Sequence, residues 1–445
     1  MPRILLDTFI VFILFFSCLA YGAVETMPLL IVEAVVVFML FFHFAYMAYK
    51  GAISLVRAGI YLPLLLFLAL IILQLIPLPL ELISILPGNT AYLYKNFIPN
   101  EALRNYFTLS VFCPATSVEL LKVLSYLGIF FLVINHIETR RQFSLLINAI
   151  IFLGFLISIF GIIQKFTYSG RVYWFDAPGT ASQPFGPFVN RNHFAGCITM
   201  IIPLALGYSL SDIALSKRVV YGFCAAIMSL GLFLSLSRSG ILVYLFSLCV
   251  FLSLLNLKNG LKIKKRLIFI WLLLVFGLFV SFGDAKAILE RFTSLFNDSA
   301  ASGLGHGYLW SDILKLWQDF PLFGIGLGAF RSISSMYKSI NAQDLITYAH
   351  NDILQLLAET GLLGFMAIAV FFISYFRKVL GIWLKRRDTF AVSLTLAGLC
   401  SICAMLAFSW LDFNLHIPSN AILFFMIMGL TYRLAFTHFD HALPG

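Results

Sequence analysis

The chain has 445 residues, of which 61% are hydrophobic and only 11% charged, with a formal net charge of +10. A soluble globular protein is about half apolar and about a quarter charged, so this composition excludes a soluble domain and points to a membrane protein. The positive balance does not point to nucleic acid, because no basic stripe interleaved with aromatics lies outside the loops; it fits basic loops that anchor topology in the cytoplasm.

In chain order, the opening segment 1–22 carries Arg3 and then a long apolar run. It reads as a retained first membrane helix rather than a signal peptide, since many more apolar runs follow. Crossing the hydrocarbon core takes about 20 apolar residues as a helix. Hydropathy marks such segments near 4–21, 29–49, 60–79, 118–135, 143–164, 193–211, 219–236, 240–256, 267–283, 353–376, 390–411 and 418–436. The expected fold class is therefore all-α: a polytopic membrane helix bundle of about 12 transmembrane helices.

The charges orient this bundle. With the N-terminus inside, the cytoplasmic connections hold Lys50 and Arg57, Arg140 and Arg141, Lys217 and Arg218, the run from Lys258 to Arg266, and the stretch from Arg377 to Arg387. The alternate connections are poorer in positive charge, and 22–28 and 412–417 have no Lys or Arg. This is the positive-inside pattern, and it predicts cytoplasmic N- and C-termini.

Three outer connections are long: 80–117, 165–192 and 284–350. The first contains PLPLELISILPG and is expected to carry a short interfacial helix. In the third, GYLWSDILKLWQDF (307–320) has a helical period that gathers Leu309, Ile313, Leu316, Trp317 and Phe320 on one side. Such a helix lies at the interface or lids a cavity. Pro321 and the glycines of FGIGLGAF (323–330) end it. Gly324, Gly326 and Gly328 follow no soluble strand, so they read as a turn and not as a nucleotide fingerprint. Of the seven cysteines, Cys400 and Cys403 form a CxxC inside a membrane helix with no histidine nearby. They read as packing residues, and no metal site is expected.

Three motifs carry the candidate chemistry: FGPFVNRNHFAG (185–196), SLSRSG (235–240) and YAHNDILQLLAETGLLG (348–364). Each places a basic side chain, Arg191, Arg238 or His350, at or beside the outer end of an apolar span, where such residues are scarce and are functional candidates. Asn190, Asn192 and His193 surround Arg191 with hydrogen-bonding groups. Arg238 sits in a very short turn, and its planar fork suits two oxygens of a phosphate. Snorkelling to lipid headgroups is the plainer reading of both arginines. His350 starts a helix with Asn351 and Asp352; helix N-termini favour anions, and neutral histidine is a common general base. A capping or interfacial histidine is the alternative there. The loop LDFNLHIPSN (411–420) adds Asp412, Asn414 and His416 on the same face, although a tight polar loop needs such side chains in any case.

In this order, together with WSDILKLWQDFPLFGIGLGAF, AHNDILQLLAETGLLGF and LDFNLHIPSN, these motifs resemble the O-antigen ligase and polymerase family of bacterial membrane glycosyltransferases. The likeness covers roughly residues 185–430, and the N-terminal spans are similar only in hydropathy. It implies a C-type glycosyltransferase-like bundle in the bacterial inner (cytoplasmic) membrane, with a large periplasmic loop and a periplasmic active face. It further implies an undecaprenyl-pyrophosphate-linked glycan donor, a lipid A core or glycan acceptor, and neither metal nor cofactor.

Arg238 matches the arginine of the family's S-R-[SG] motif, and His350 the histidine that opens its H-N-x-x-L-Q helix; these two are the expected catalytic residues. Arg191, Asn190, Asn192, His193, His306, Asn351 and Asp412 are expected to bind pyrophosphate or glycan. The family often carries an arginine four residues before the first tryptophan of the loop helix; before Trp310 this chain has His306. Arg191, Arg291 and Arg331 are candidates for the displaced cation.

The expected organisation is 1–184 for N-terminal helices and loops, 185–436 for the ligase-related membrane domain with the loop 284–350, and 437–445 for a short cytoplasmic tail. Ligation of O-antigen to lipid A core is the expected reaction, with O-antigen or exopolysaccharide polymerisation as the alternative. A lipid-linked glycan flippase would call for ionisable residues at mid-span and two related halves, whereas here the polar groups gather on one face.

Overall fold

Inside hydrocarbon no water is available to backbone N–H and C=O groups, so an apolar run must satisfy them within its own segment and becomes a helix. The structure, a computed structural model, describes residues 2–51, 55–56, 58–86, 89–97, 106–167, 172–174, 183–258, 265–282, 286, 289–290, 293, 303–339 and 347–439. In chain order the helices are α1 (Pro2–Leu19), α2 (Thr26–Tyr49), α3 (Tyr61–Leu75), α4 (Leu80–Ile85), α5 (Thr90–Phe97), α6 (Cys113–His136), α7 (Arg140–Phe166) and α8 (Arg191–Leu210). They continue with α9 (Leu215–Leu234), α10 (Arg238–Leu257), α11 (Lys265–Phe282), α12 (Gly303–Asp319), α13 (Phe330–Ile333), α14 (Asp352–Lys385), α15 (Thr389–Phe408) and α16 (Pro418–Phe436). The extended backbone is slight: β1 (Leu78–Pro79) pairs antiparallel with β2 (Tyr106–Phe107), Leu78 opposite Phe107. The fold is an all-α polytopic membrane bundle.

Among the described residues, nine helices (α2, α6–α10 and α14–α16) are long and apolar enough to cross a membrane. Shorter apolar stretches, Ile4–Leu19, Tyr61–Leu75 and Ile268–Ser281, occupy the three other positions marked by hydropathy. The centre of the bundle is α8, α15 and α16, buried along 94%, 83% and 83% of their spans, whereas α2 is buried along only 22%. Lipid tails are as apolar as a protein core, so helices associate in a membrane by close contact and polar cross-links. Both occur here. A Cβ on Gly207 of α8 would stand 2.8 Å from the Ser393 carbonyl oxygen of α15. Ser401 Oγ of α15 donates to the Met200 carbonyl of α8 at 2.6 Å, and Tyr375 OH of α14 to the Met428 carbonyl of α16 at 2.7 Å.

At one end of the bundle α8, α10, α14 and α16 begin. At the other, Lys258 Nζ donates to the carbonyls of Leu384 and Arg386, at 2.8 Å each. The described parts of the connections 80–117 and 284–350 pack around the first end. The apolar stripe of α12 is buried there: Ile313, Leu316 and Phe320 form a small core with Ile325, Phe330, Ile333 and Ala358. The stripe thus packs against the start of α14. The turn that follows has Gly324, Gly326 and Gly328 at φ +69°, +104° and +77°, a backbone that only glycine adopts without strain.

This turn is held by two buried side chains. Glu359 accepts from the amides of Gly328 (2.8 Å) and Phe330 (3.3 Å) and from Gln355 Nε2 (3.0 Å). Gln74, at the end of α3, accepts from the Leu327 amide at 3.1 Å and donates to the carbonyls of Phe323 and Glu359 at 2.7 and 2.9 Å. Just beyond, α14 breaks at Gly361 (φ +63°), and the amides of Leu362 and Leu363 turn to the carbonyls of Pro321 (2.8 Å) and Leu322 (3.2 Å). In the 80–117 segment, α4 and α5 cover a satellite core of Ile83, Tyr94, Phe107 and Leu109.

Candidate functional site

The site grows from three helix starts, each capped by its own sequence. Asn190 Oδ1 accepts from the Asn192 amide (2.8 Å) and opens α8. Ser237 Oγ accepts from the Gly240 amide (3.2 Å) and opens α10. Asn351 Oδ1 accepts from the amides of Ile353 (3.1 Å) and Leu354 (3.0 Å) and opens α14. Such caps satisfy amides that have no partner within the helix, and the positive ends of three helix dipoles meet at one place. Arg191 and Arg238 are therefore first helical residues rather than loop residues. His350 precedes its helix, at φ +49°, a left-handed conformation uncommon outside glycine. Leu236, before Arg238, is held likewise at φ +55°.

A chain of hydrogen bonds joins these starts. Ser237 Oγ donates to Asn192 Oδ1 at 2.7 Å, Asn192 Nδ2 donates to Asp412 Oδ2 at 2.7 Å, and His350 Nδ1 lies 3.2 Å from Asp412 Oδ1. A carboxylate only accepts, so His350 Nδ1 carries the hydrogen and the neutral ring keeps its lone pair on Nε2. The Phe413 amide also donates to Asp412, at 2.9 Å. Asp412 is 2% exposed, whereas the side chain of His350 is 44% exposed and thus accessible. Burial alone would raise the Asp412 pKa; the hydrogen bond from His350, the charges of His193 and His350 and the Phe413 amide outweigh it and hold the carboxyl below its ordinary value.

A second His–Asp pair runs beside the first. Asp352 accepts from His416 Nδ1 at 2.6 Å and from the Leu415 amide at 3.0 Å. Burial pushes the His416 pKa down, but the Asp352 carboxylate, with Glu359 and Glu119 beyond, raises it above the ordinary histidine value. Segments 350–352 and 412–416 thus clasp each other reciprocally. Between the pairs stands Phe413, stacked on Tyr348 at 4.4 Å and met edge-on by His350 (4.9 Å) and His193 (5.2 Å).

Of the residues expected from sequence, His350, Asn192 and Asp412 come together directly. Arg238 adjoins the chain through Ser237. Asn190 and Asn351 serve as caps, and Asn351 is fully buried. His193 is buried with its ring on Phe413, and its carbonyl accepts from Asn420 Nδ2 at 2.9 Å. Arg191 lines a cavity of about 340 Å3 with Gln164, Lys165, Gln183, Ser235 and Leu236. Arg331 is exposed. The side chain of His306, and Arg291, lie outside the described residues. Sequence reasoning left Ser237, Gln355 and Glu359 out of the site, and placed His416 on its face without a partner. Ser237 had a signal, a serine just before a helix start, and Gln355 and Glu359 stand one helical turn apart; the bonds of Glu359 to the glycine turn and of His416 to Asp352 join residues distant in sequence.

Fold and cluster together define a polytopic α-helical membrane protein with a polar site where helix N-termini converge. Residues 223–369, about a third of the chain, match the family model described as O-antigen ligase, and the matched stretch contains both Arg238 and His350. The match supports a membrane enzyme of the O-antigen ligase/polymerase type, and with it a lipid-linked glycan and a bilayer environment. A comparison with curated proteins finds no match to the chain. Asn192 and Asp412 lie outside the matched stretch and are joined to it by the hydrogen bonds above.

Proposed function

We propose that the chain transfers a glycan from undecaprenyl pyrophosphate to an acceptor hydroxyl at the periplasmic face of the inner membrane, and that the reaction is ligation of O-antigen to lipid A core. The observation that carries this reading is the hydrogen-bond chain Ser237–Asn192–Asp412–His350, which ties the arginine-bearing start of α10 to an accessible histidine of fixed tautomer. The acceptor oxygen attacks the anomeric carbon, and His350 Nε2 takes its proton. The bond from that carbon to the pyrophosphate oxygen breaks, and the pyrophosphate leaves with the electron pair. Pyrophosphate is already a good anion, so the protein has mainly to position it and stabilise its charge. Arg238 and Arg191, each the first residue of a helix, supply cations where helix dipoles already favour anions.

A groove beside the site supports a lipid-linked donor. It has a volume of about 170 Å3; Lys122, Glu119, Asp352 and His416 line it together with Phe67, Phe371 and Phe424. Polar head and apolar wall match the two parts of a polyprenyl-linked substrate.

The test is a deletion strain complemented with the unaltered protein or Arg238→Ala, reading surface polysaccharide on a gel and the pool of polyprenyl-linked glycan. Ligation predicts that Arg238→Ala leaves lipid A core bare while long chains build up on the lipid carrier. Single repeat units building up instead would identify a polymerase. Full transfer by Arg238→Ala would refute the assignment.

A further inference from the structure

At the opposite end of the bundle from His350, α8, α9 and α11 enclose a cavity of about 230 Å3 that the reaction above does not use. Its walls are apolar, and Val219, Phe223 and Ile270 bring it to the exposed lateral surface of the bundle. Three polar side chains line it, Arg218, Trp271 and Ser209. Among the described residues neither Arg218 Nε nor Trp271 Nε1, both buried, has a hydrogen-bond partner, and Trp271 is only 4% exposed. Buried N–H donors in folded proteins almost always have acceptors, and an unmet one is costly. Among the described residues no acidic side chain lines this cavity to serve, and Ser209 Oγ is committed to the Leu206 carbonyl at 2.7 Å. The space reaches the backbone of α9, for a Cβ on Gly222 would meet nothing within 4 Å.

We propose that this cavity binds an anionic phospholipid of the cytoplasmic leaflet, its phosphate accepting from Arg218 and Trp271 and an acyl chain lying along Phe223 and Ile268. A phosphate suits both donors, since a guanidinium and an indole N–H can share its oxygens. The apolar walls and lateral opening select a lipid over a free anion. The described lining residues include no carboxylate, which selects an anionic headgroup over a zwitterionic one, whose ammonium would find no counter-charge among them. Lys217 and Arg218 belong to the basic end of the bundle, which the positive-inside pattern sets against the negatively charged leaflet. The site is independent of the glycan-transfer reading.

The experiment uses the full chain in nanodiscs with phosphatidylglycerol or phosphatidylcholine brominated near the glycerol end of the acyl chain. The fluorescence of Trp271 is obtained by subtracting Trp271→Phe. Phosphatidylglycerol should reach half-quenching at about fivefold lower mole fraction than phosphatidylcholine, the preference one basic side chain gives at an anionic surface. Arg218→Gln should bring the two lipids level. Gly222→Leu, which fills the cavity while favouring the helix, should abolish quenching by both. Equal quenching of the unaltered protein by the two lipids, or no effect of Arg218→Gln, overturns the anionic site. Quenching that survives Gly222→Leu overturns its location, and a response of Trp271 to inorganic phosphate in phosphatidylcholine discs overturns the lipid in favour of a free anion. Either variant decides the matter if the other fails to fold.

Discussion

Replacing Asp412 by asparagine separates the charge of the carboxylate from its shape. The asparagine oxygen can go on accepting from His350 and Phe413. Its new NH2 faces Asn192, whose amide turns over; the NH2 of Asn192 then meets Ser237 Oγ, a hydroxyl that can accept as readily as it donates. The fold should survive, and what disappears is the negative charge behind the proton on His350. Hydrogen bonds to charged groups contribute about 1.5–3 kcal/mol against about 0.5–1.5 for neutral ones, so His350 loses roughly 1–1.5 kcal/mol of support as it takes a proton. A barrier raised by that amount slows transfer about tenfold. The assay is the initial rate of glycan transfer in membranes, normalised to folded protein, in a cycle with His350→Ala. The double variant should be no slower than His350→Ala alone, because the two side chains act as a unit. An Asp412→Asn protein with the unaltered rate and melting temperature would refute the role assigned to this chain of bonds.

Three further outcomes are expected. The melting temperature in detergent should fall as pH rises above 6.5: the folded-state pKa of His416 is raised, so its contribution is full below the ordinary value of 6.5 and is lost as pH climbs through the folded-state value. Asp352→Asn should flatten that slope, and a profile unchanged by the substitution would count against the pairing. Glu359→Gln sets an NH2 against one of three N–H donors in a buried site and should destabilise by about 1–3 kcal/mol in thermal unfolding. Gly326→Ala forces an L side chain into φ +104° and a Cβ into Ser110; it should cost about 1–2 kcal/mol or more, which chemical denaturation would read.

Much of the scaffold was legible in the sequence because hydrocarbon leaves the backbone little choice: runs of about 20 apolar residues become helices near their hydropathic limits. The stripe of Ile313, Leu316 and Phe320 was legible for the same kind of reason, a period of 3.6 with one buried face. Arg238 and His350 stood out in the sequence as basic residues at the ends of apolar runs. The bonds between them were not legible there. Asn192 and Asp412 are 220 residues apart, and nothing local in either says that one amide spans the gap. Nor does the H-N-D triplet reveal that its Asp352 answers to His416 across 64 residues. The glycine run was read as a turn, but that it closes over Glu359 and Gln74 follows only from the crossing of α3 and α14. His350 was expected to begin its helix; Asn351 is the better cap, so His350 is left outside in a left-handed conformation.

The amide of Asn192 has a further meaning for turnover. Its two ends differ, an oxygen towards Ser237 and an NH2 towards Asp412, and it neither gains nor sheds a proton in any ordinary range. It can transmit geometry from α10 to the histidine, but not acidity. On the proposed reaction, a proton picked up by His350 has no exit through the interior along this route and would leave from the exposed side of the ring. On that reading, release of acid and departure of the finished glycan share one doorway, and the rate of a full cycle would be sensitive to whatever sits in it.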